Sequence, residues 1–275
     1  MVINRLTSLL AAVFLLVSTV VAHAGDTLNS REWIKAWGID AAFVSLSSQI
    51  QNMSARPEIA RNKKLQKAWN TLSSEVYSAG RMEDGLVKEM DGLFAEEQTR
   101  EFAAFLASPL GKRVTELERQ SSDPKMQDEK MAKAAELWAT QSESRKNSIC
   151  SMFDSMGGAK SSVATSINIS FGFQKAMQAG GELLKSYSDD ILWLRARKGV
   201  IASVAPKYRE LLPQMMAFTY RSLSDEDLED YARFLDSDAG RATYKKIIDA
   251  QDRMMKSITV EFGRRIMVEF ENGKA

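Results

Sequence analysis

Between Phe105 and Gly111 the chain reads Phe-Leu-Ala-Ser-Pro-Leu-Gly, and between Phe234 and Gly240, 129 positions later, it reads Phe-Leu-Asp-Ser-Asp-Ala-Gly. The match extends upstream without a gap, and six aligned positions are identical. Duplication explains an ungapped match of this kind better than helical composition alone. The repeat therefore indicates an internal duplication.

The second copy begins with the pattern of a helix N-terminus. Ser224 can cap free backbone N–H groups, and the carboxylates at 225–227 face the positive end of the helix dipole. Apolar side chains then recur at three- and four-residue spacing, at Leu228, Tyr231, Phe234 and Leu235. This spacing predicts one buried helical face.

The centre of each copy is predicted to be a corner between two helices. Ser108 followed by Pro109 is the pairing expected for an N-cap and the first residue of a new helix. Ser237 stands at the same place in the second copy. Gly111 and Gly240 then fall in a first helical turn, where glycine costs about 1 kcal/mol relative to alanine. We expect another helix to pack closely against each glycine, which makes the motif structural.

The acidic helix start, the aromatic pair and the Ser-x-x-Gly corner resemble the core motif of an exported bacterial family, domain of unknown function 2059. The match is incomplete, because the first copy has Ala95 at the capping position and the second has Asp238 in place of the proline. Leu106 and Leu235 stand where the family usually has tyrosine. The resemblance covers short segments, with the second core at about 206–262. It implies a small, all-helical exported protein and implies no activity.

The first 24 residues have the features of a secretory signal peptide. Arg5 provides the positive start, residues 9–21 are largely apolar, and Ala22-His23-Ala24 forms an A-x-A cleavage site. The apolar run is too short and too poorly flanked to favour a permanent membrane span. We predict cleavage after Ala24, and a periplasmic or secreted mature protein without a transmembrane span.

This cleavage limits the chemistry of the mature chain. The only histidine is His23, which excludes imidazole bases and histidine-ligated zinc. The only cysteine is Cys150, interpreted as a buried thiol, with intermolecular pairing as the alternative. Removal of Arg5 from the 37 basic residues leaves a number equal to the 36 acidic residues, which argues against nucleic acid and anionic membranes as partners. We predict no cofactor.

Helical spacing of apolar residues continues along the rest of the chain, and no run has the pattern of a reliable strand. Proline-containing breaks, at Arg56-Pro57, residues 121–124, Pro206 and Pro213, divide this pattern. The sequence therefore predicts an all-α fold of about nine to eleven helices. The helices are assigned to two related halves, residues 25–122 and 123–275.

Carboxylates are the remaining candidates for catalysis. Two acids across a cleft can cleave a glycosidic bond without histidine, and Glu97 and Glu226 are the duplicated acids. Each also lies where the dipole of a first helical turn favours a carboxylate, so a structural role is the preferred interpretation. A calcium loop starting at Asp236 is rejected because Gly240 and Ile247 replace oxygen ligands. We predict no metal site.

The favoured function is a non-enzymatic binding or protein-interaction module of the periplasm; the alternative is a carboxylate-dependent hydrolase acting on cell-envelope material. Methionines and aromatic residues on the apolar faces fit either a filled core or a groove for a lipid chain or an amphipathic segment of another envelope protein. Residues 191–194 form an apolar patch that includes Trp193. The cations that follow it, Arg195, Arg197 and Lys198, are interpreted as marking a helix end, with a site for an acidic headgroup as the alternative.

Overall fold

The computed structural model of the chain describes residues 29–93, 96–181 and 184–272. Within these ranges there are fourteen α-helices, one short 3-10 helix and no strand. In the same residues, none of the helices combines the length and apolar character needed to cross a lipid bilayer. The predicted signal peptide, residues 1–24, lies outside the described residues.

The helices, in chain order, are α1 Ser30–Ala36, α2 Ile39–Asn52, α3 Pro57–Ala60, α4 Lys63–Val76, α5 Ala79–Met90, α6 Glu96–Ala107, α7 Pro109–Ser122, α8 Pro124–Thr140, α9 Glu143–Ser155, α10 Lys160–Gly180, α11 Asp189–Ser203, α12 Ala205–Thr219, α13 Asp225–Asp236 and α14 Asp238–Asn272. The 3-10 helix, Met53–Ala55, lies between α2 and α3.

The all-α prediction is confirmed, but the predicted number of helices is too low. One predicted N-terminal helix is divided at Gly38, whose φ of 58° ends α1 and begins α2. The stretch after Pro124 forms two helices, because the Ser142 side chain accepts from the backbone N–H of Arg145 and begins α9. The division predicted at Pro206 is present, because Pro206 lies in the first turn of α12 and α11 ends before it.

The two predicted corners have the same local hydrogen bonds. Ser108 is the N-cap of α7, Pro109 is its first residue, and the Gly111 N–H donates to Ser108 Oγ at 3.0 Å. In the second corner, the Gly240 N–H donates to Ser237 Oγ at 3.1 Å. Each serine therefore satisfies one of the free N–H groups at the start of the next helix.

A close backbone contact explains the glycine in each corner. A Cβ placed on Gly111 would lie 2.0 Å from the carbonyl oxygen of Phe105, and one on Gly240 would lie 2.4 Å from that of Phe234. The closely packed neighbour is the last turn of the preceding helix, α6 or α13. Any larger residue would have to displace backbone rather than a flexible side chain.

The two corners contact each other through their aromatic rings. Phe105 and Phe234, which align in the repeat, stack with centroids 3.8 Å apart and planes at 7°. Phe102 and Tyr231 also align; Phe102 packs against Phe234 at 5.1 Å, and Tyr231 stacks against Phe105 at 5.5 Å. The contact is thus reciprocal, as expected when two copies of one surface meet.

Two large apolar clusters form the interior. The first is built mainly by α1, α2, α4, α5, α10 and α14, and includes the contact between Trp69 and Phe262 at 5.0 Å. The second is built mainly by α9, α12 and α13. Phe234 and Tyr244 pack against both clusters. The structure does not show two duplicated halves, and the boundary between 25–122 and 123–275 stays a prediction.

Candidate functional site

Of the two duplicated acids, the structure describes the surroundings of only Glu226. Glu226 is exposed in the first turn of α13, where its carboxylate faces the positive end of the helix dipole. Glu97 belongs to α6, but its side chain lies outside the described residues. Whether the two carboxylates face each other therefore stays a prediction.

A different acid, Glu118 of α7, lies fully buried beside the paired corners. Its Oε1 accepts hydrogen bonds from the hydroxyls of Tyr220 at 2.5 Å and Tyr231 at 3.1 Å. The Tyr231 and Tyr244 hydroxyls lie 3.4 Å apart. Burial raises the pKa of Glu118 to about 7, although both hydrogen bonds act to lower it. Burial and the charge of Glu118 raise the pKa of all three tyrosines, so they stay neutral donors.

Lys130 of α8 is the second buried ionisable group in this region. Its Nζ donates to the carbonyl of Ser121 at 2.9 Å and contacts Ser121 Oγ at 3.0 Å. Burial lowers the pKa of Lys130 to about 8. A serine beside such an amine can act as a nucleophile, but Ser121 is 3% exposed and Lys130 is 2% exposed, so substrate has no access. Lys130 instead satisfies a carbonyl in the last turn of α7.

Glu118 is not among the residues predicted from the sequence, although its position carries a signal. Glu118 lies seven residues after Gly111 and four after Val114, on the buried stripe of α7. A carboxylate on the buried face of a helix needs hydrogen-bond donors from other parts of the fold. Here the donors come from residues more than 100 positions away.

An open groove of about 1400 Å³, whose lining includes neither Glu118 nor Lys130, is the candidate binding site. We call it the α10 groove, because α10 lines its base between α11 and α14. Its end is formed by the turn between α9 and α10, together with α12. The apolar part of the lining consists of Phe153, Val163, Ile167, Trp193, Leu194, Ile201 and Pro213.

Helices α14 and α11 form the two walls of the groove, and their contacts along α10 show the direction in which each helix runs. Asn168 Nδ2 donates to Asp252 at 3.2 Å, and Lys175 packs against Gly263, so α14 runs parallel to α10. Phe171 stacks on Trp193 at 4.0 Å, and the earlier residue Asp189 pairs with Lys175, so α11 runs antiparallel. Lys256 Nζ lies 5.9 Å from the centroid of Trp193, which brings the walls together there.

Charged side chains of both signs line the α10 groove. The basic ones are Lys160, Arg197, Arg209 and Lys256, and the acidic ones are Asp154, Asp190 and Asp252. Lys160 pairs with Asp249 at 3.2 Å. Arg197 and Arg209 are exposed and form no ion pair with any residue that the structure describes. These two guanidinium groups can therefore interact with a ligand without breaking an internal contact.

Two interpretations from the sequence are wrong at this groove. Arg195, Arg197 and Lys198 lie in the middle of α11, which continues to Ser203, so they do not mark a helix end. Cys150 is exposed and lines the groove rather than lying in the core. The reason is that the buried stripe of α9 consists of Ile149, Met152 and Phe153, and Cys150 lies outside it.

Comparison with known protein families, curated proteins and solved structures finds no match for this chain. The assignment to domain of unknown function 2059 is therefore wrong. The features that suggested it are a capped helix start, an aromatic pair and a Ser-x-x-Gly corner. In this chain Ser224 caps α13, and the aromatic rings of Phe105 and Phe234 stack on each other. Ser108 and Ser237 cap the corners, where Gly111 and Gly240 allow close packing. Within the described residues, no group of three or more histidine, cysteine or acidic side chains could hold a metal ion.

Proposed function

We propose that this protein is a non-enzymatic interaction module, and that the α10 groove holds an amphipathic helix of a partner protein. The observation that carries the proposal is the exposure of large apolar side chains on the wall of an open groove. Leu194 is 52% exposed and Ile201 is 49% exposed, and both line it. A partner that covered them would remove this apolar surface from water.

The size of the groove favours a helical segment over a small molecule. Small-molecule pockets usually enclose about 300–1,000 Å³, and the α10 groove has about 1400 Å³. A helix with side chains is about 10–12 Å wide, so this volume corresponds to roughly 8–12 residues, or two to three turns. Charges of both signs on the walls also suit a peptide better than a hydrocarbon chain.

Export remains part of the proposal. A signal peptide at residues 1–24 would deliver the protein to the periplasm or beyond, where the partner would be another envelope protein. Intact mass measurement of the protein recovered from its own cells tests this. A chain that begins at Gly25 supports export, and a chain that retains the first 24 residues contradicts it.

A peptide-binding experiment tests the groove. A displayed library of helical peptides, with leucines at i, i+3, i+4 and i+7 and variable charges, is selected against the full chain. Affinities of selected peptides are then measured by fluorescence anisotropy. We expect Leu194→Asp and Ile201→Asp to weaken binding at least about tenfold, because each places a charge at a buried apolar contact. Val44→Asp is the matched control, since Val44 is 51% exposed on α2.

The single cysteine reports where the peptide binds. A polarity-sensitive fluorophore on Cys150, which lines the groove, should change its emission when a selected peptide binds. Peptides that bind without this change, or equally well to Leu194→Asp and Ile201→Asp, would place the interaction elsewhere and contradict the proposal.

The hydrolase alternative has its own test. We expect no release of glycan fragments from purified cell-envelope material by the wild-type protein. Release that is lost in Glu226→Gln, with the fold unchanged by circular dichroism, would overturn the non-enzymatic proposal.

A further inference from the structure

We infer that the partner helix is acidic, and that it is recognised by an apolar stripe on α11 together with the cations beside it. This inference rests on the proposed function, because it specifies the chemistry of the helix that the α10 groove holds. The stripe is formed by Ile191, Leu194 and Ile201, with Lys198 between the last two.

The stripe is an unusual concentration of exposed apolar surface. Ile191, Leu194 and Ile201 account for three of the seven exposed large apolar side chains in the described part of the chain. The opposite face of α11, with Leu192, Ala196 and Val200, is buried, so the stripe points away from the protein interior. Scattered exposed apolar residues are normal, but three on one helix mark an interaction surface.

The spacing of the stripe matches helix-on-helix packing. Positions 191, 194, 198 and 201 follow steps of three, four and three residues, which is the spacing of the a and d positions of a heptad repeat. Lys198 occupies one of these positions, where its long aliphatic stem can pack while its ammonium group stays in water. One partner helix can therefore contact about three turns of α11.

The charges next to the stripe indicate the sign of the charge on the partner helix. Arg195, Arg197 and Lys198 on α11 and Arg209 on α12 lie on the two helices next to it. The acids on these helices are Asp189, which pairs with Lys175, Asp190 and Glu210, while Asp154 and Asp252 line other walls of the groove. These four cations form no ion pair with the described residues, and the Arg195 guanidinium lies over the ring of Tyr187 at 5.2 Å. The whole chain has a formal net charge of only +1, so this excess of cations is local. Carboxylates on the partner would complement it.

The same surface could attract an anionic membrane, but its shape favours a helix. Leu194 and Ile201 belong to the wall of the groove, together with Trp193 and Pro213. A membrane-bound helix inserts its apolar face into a broad, nearly flat interface. A concave wall can enclose a partner helix but cannot be covered evenly by a lipid surface.

Three fluorescein-labelled helical peptides test the charge of the partner. They share one apolar face and differ only in the flanking residues, which are glutamate, glutamine or lysine. Because opposite charges attract across the interface, we expect the glutamate peptide to bind at least about tenfold more tightly than the lysine peptide at low salt. Added salt should reduce this difference, since the cations are exposed.

Charge reversal on the protein provides the matched test. Arg197→Glu combined with Arg209→Glu should reverse the order, so that the lysine peptide binds best. Arg100→Glu makes the same type of change at an exposed residue of α6, outside the groove, and should leave the order unchanged. Circular dichroism and thermal unfolding verify that each variant is folded.

The outcomes separate the two proposals. Equal affinities for the three peptides, with binding still lost in Leu194→Asp, would overturn the acidic partner and leave the helix-binding function standing. Failure of all helical peptides to bind would overturn the helix-binding function itself. Binding to phosphatidylglycerol vesicles that exceeds peptide binding and is lost in the Arg197→Glu, Arg209→Glu variant would replace the partner helix with a membrane.

Discussion

The cluster around Glu118 and the α10 groove both combine charged groups with aromatic rings. The charged group is buried in the cluster, whereas the charged groups of the groove are exposed. In the cluster, hydroxyls of Tyr220 and Tyr231 donate to a carboxylate that water does not reach. In the groove, Arg197 and Arg209 are exposed to solvent and form no ion pair with the residues that the structure describes. Burial of a charge costs stability unless other groups compensate it, whereas exposed charges remain available for binding. This difference is the reason why we propose the groove, and not the cluster, as the binding surface.

The largest effect is expected at the corner beside the cluster. Gly111→Ala should lower the free energy of unfolding by about 3 kcal/mol or more, because the new Cβ would meet the Phe105 carbonyl at 2.0 Å. Gly199→Ala on α11 is the control, since nothing lies within 4 Å of its added Cβ. It should stabilise the protein by up to about 1 kcal/mol through helix propensity. Urea denaturation measures both, and equal effects would contradict the difference between the two regions.

The next largest effect is the pH dependence caused by Glu118. Its pKa is about 7 in the folded protein against an ordinary value of 4.5, so folding retains a proton that the unfolded chain releases. The contribution of Glu118 to the free energy of unfolding is fully present below pH 4.5 and is lost as the pH rises through 7. The total loss is about 3 kcal/mol.

Glu118→Gln isolates this contribution. The amide keeps the shape of the side chain and does not titrate, so the stability of the variant relative to wild type should rise between pH 4.5 and 7. Parallel urea denaturation curves over this range measure the difference. A constant difference would show that Glu118 reaches water in the folded protein.

A smaller effect of opposite sign is expected from Lys130. Its folded pKa of about 8 lies below the ordinary 10.5, so the unfolded chain binds the proton more strongly. The penalty is complete below pH 8 and is relieved as the pH rises from 8 to 10.5. Lys130→Met should therefore stabilise the protein by about 2 kcal/mol at pH 7, after the loss of two hydrogen bonds is allowed for. Urea denaturation of the wild type and the variant at pH 7 and pH 10.5 measures this difference. The free energy of unfolding of the variant should no longer exceed that of the wild type at pH 10.5.

The smallest effect on stability is expected in the groove. Leu194→Asp should change the free energy of unfolding by less than about 0.5 kcal/mol, because the side chain is already half exposed. The same substitution should abolish most peptide binding. A loss of stability similar to that of Gly111→Ala would mean that Leu194 is structural after all.

Sequence patterns predicted the features that depend on neighbouring residues. The cap at Ser224 and the corner at Ser108-Pro109 were identified because a few adjacent side chains determine them. Pro213 shows the limit of such reasoning, since it was expected to divide a helix and instead lies inside α12. Packing around α12 overrides the local preference of proline.

Features that depend on distant residues were not predictable in the same way. Glu118 is one of several charged residues in its segment, and only the fold brings Tyr220 and Tyr231 to it. Likewise, residues 191–194 were recognised as an apolar patch, but the sequence did not show that Leu192 is buried while Leu194 is exposed. That distinction depends on which helices pack against α11.

The C-terminal helix has a consequence for how the whole protein unfolds. Helix α14 has 35 residues and is about 50 Å long, and it contributes Phe262 to one apolar cluster while Tyr244 packs against both. Neither cluster can lose this helix without exposing apolar surface in the other. The chain should therefore melt in one cooperative transition, with equal calorimetric and van't Hoff enthalpies, and residues 25–122 alone should not form a stable domain.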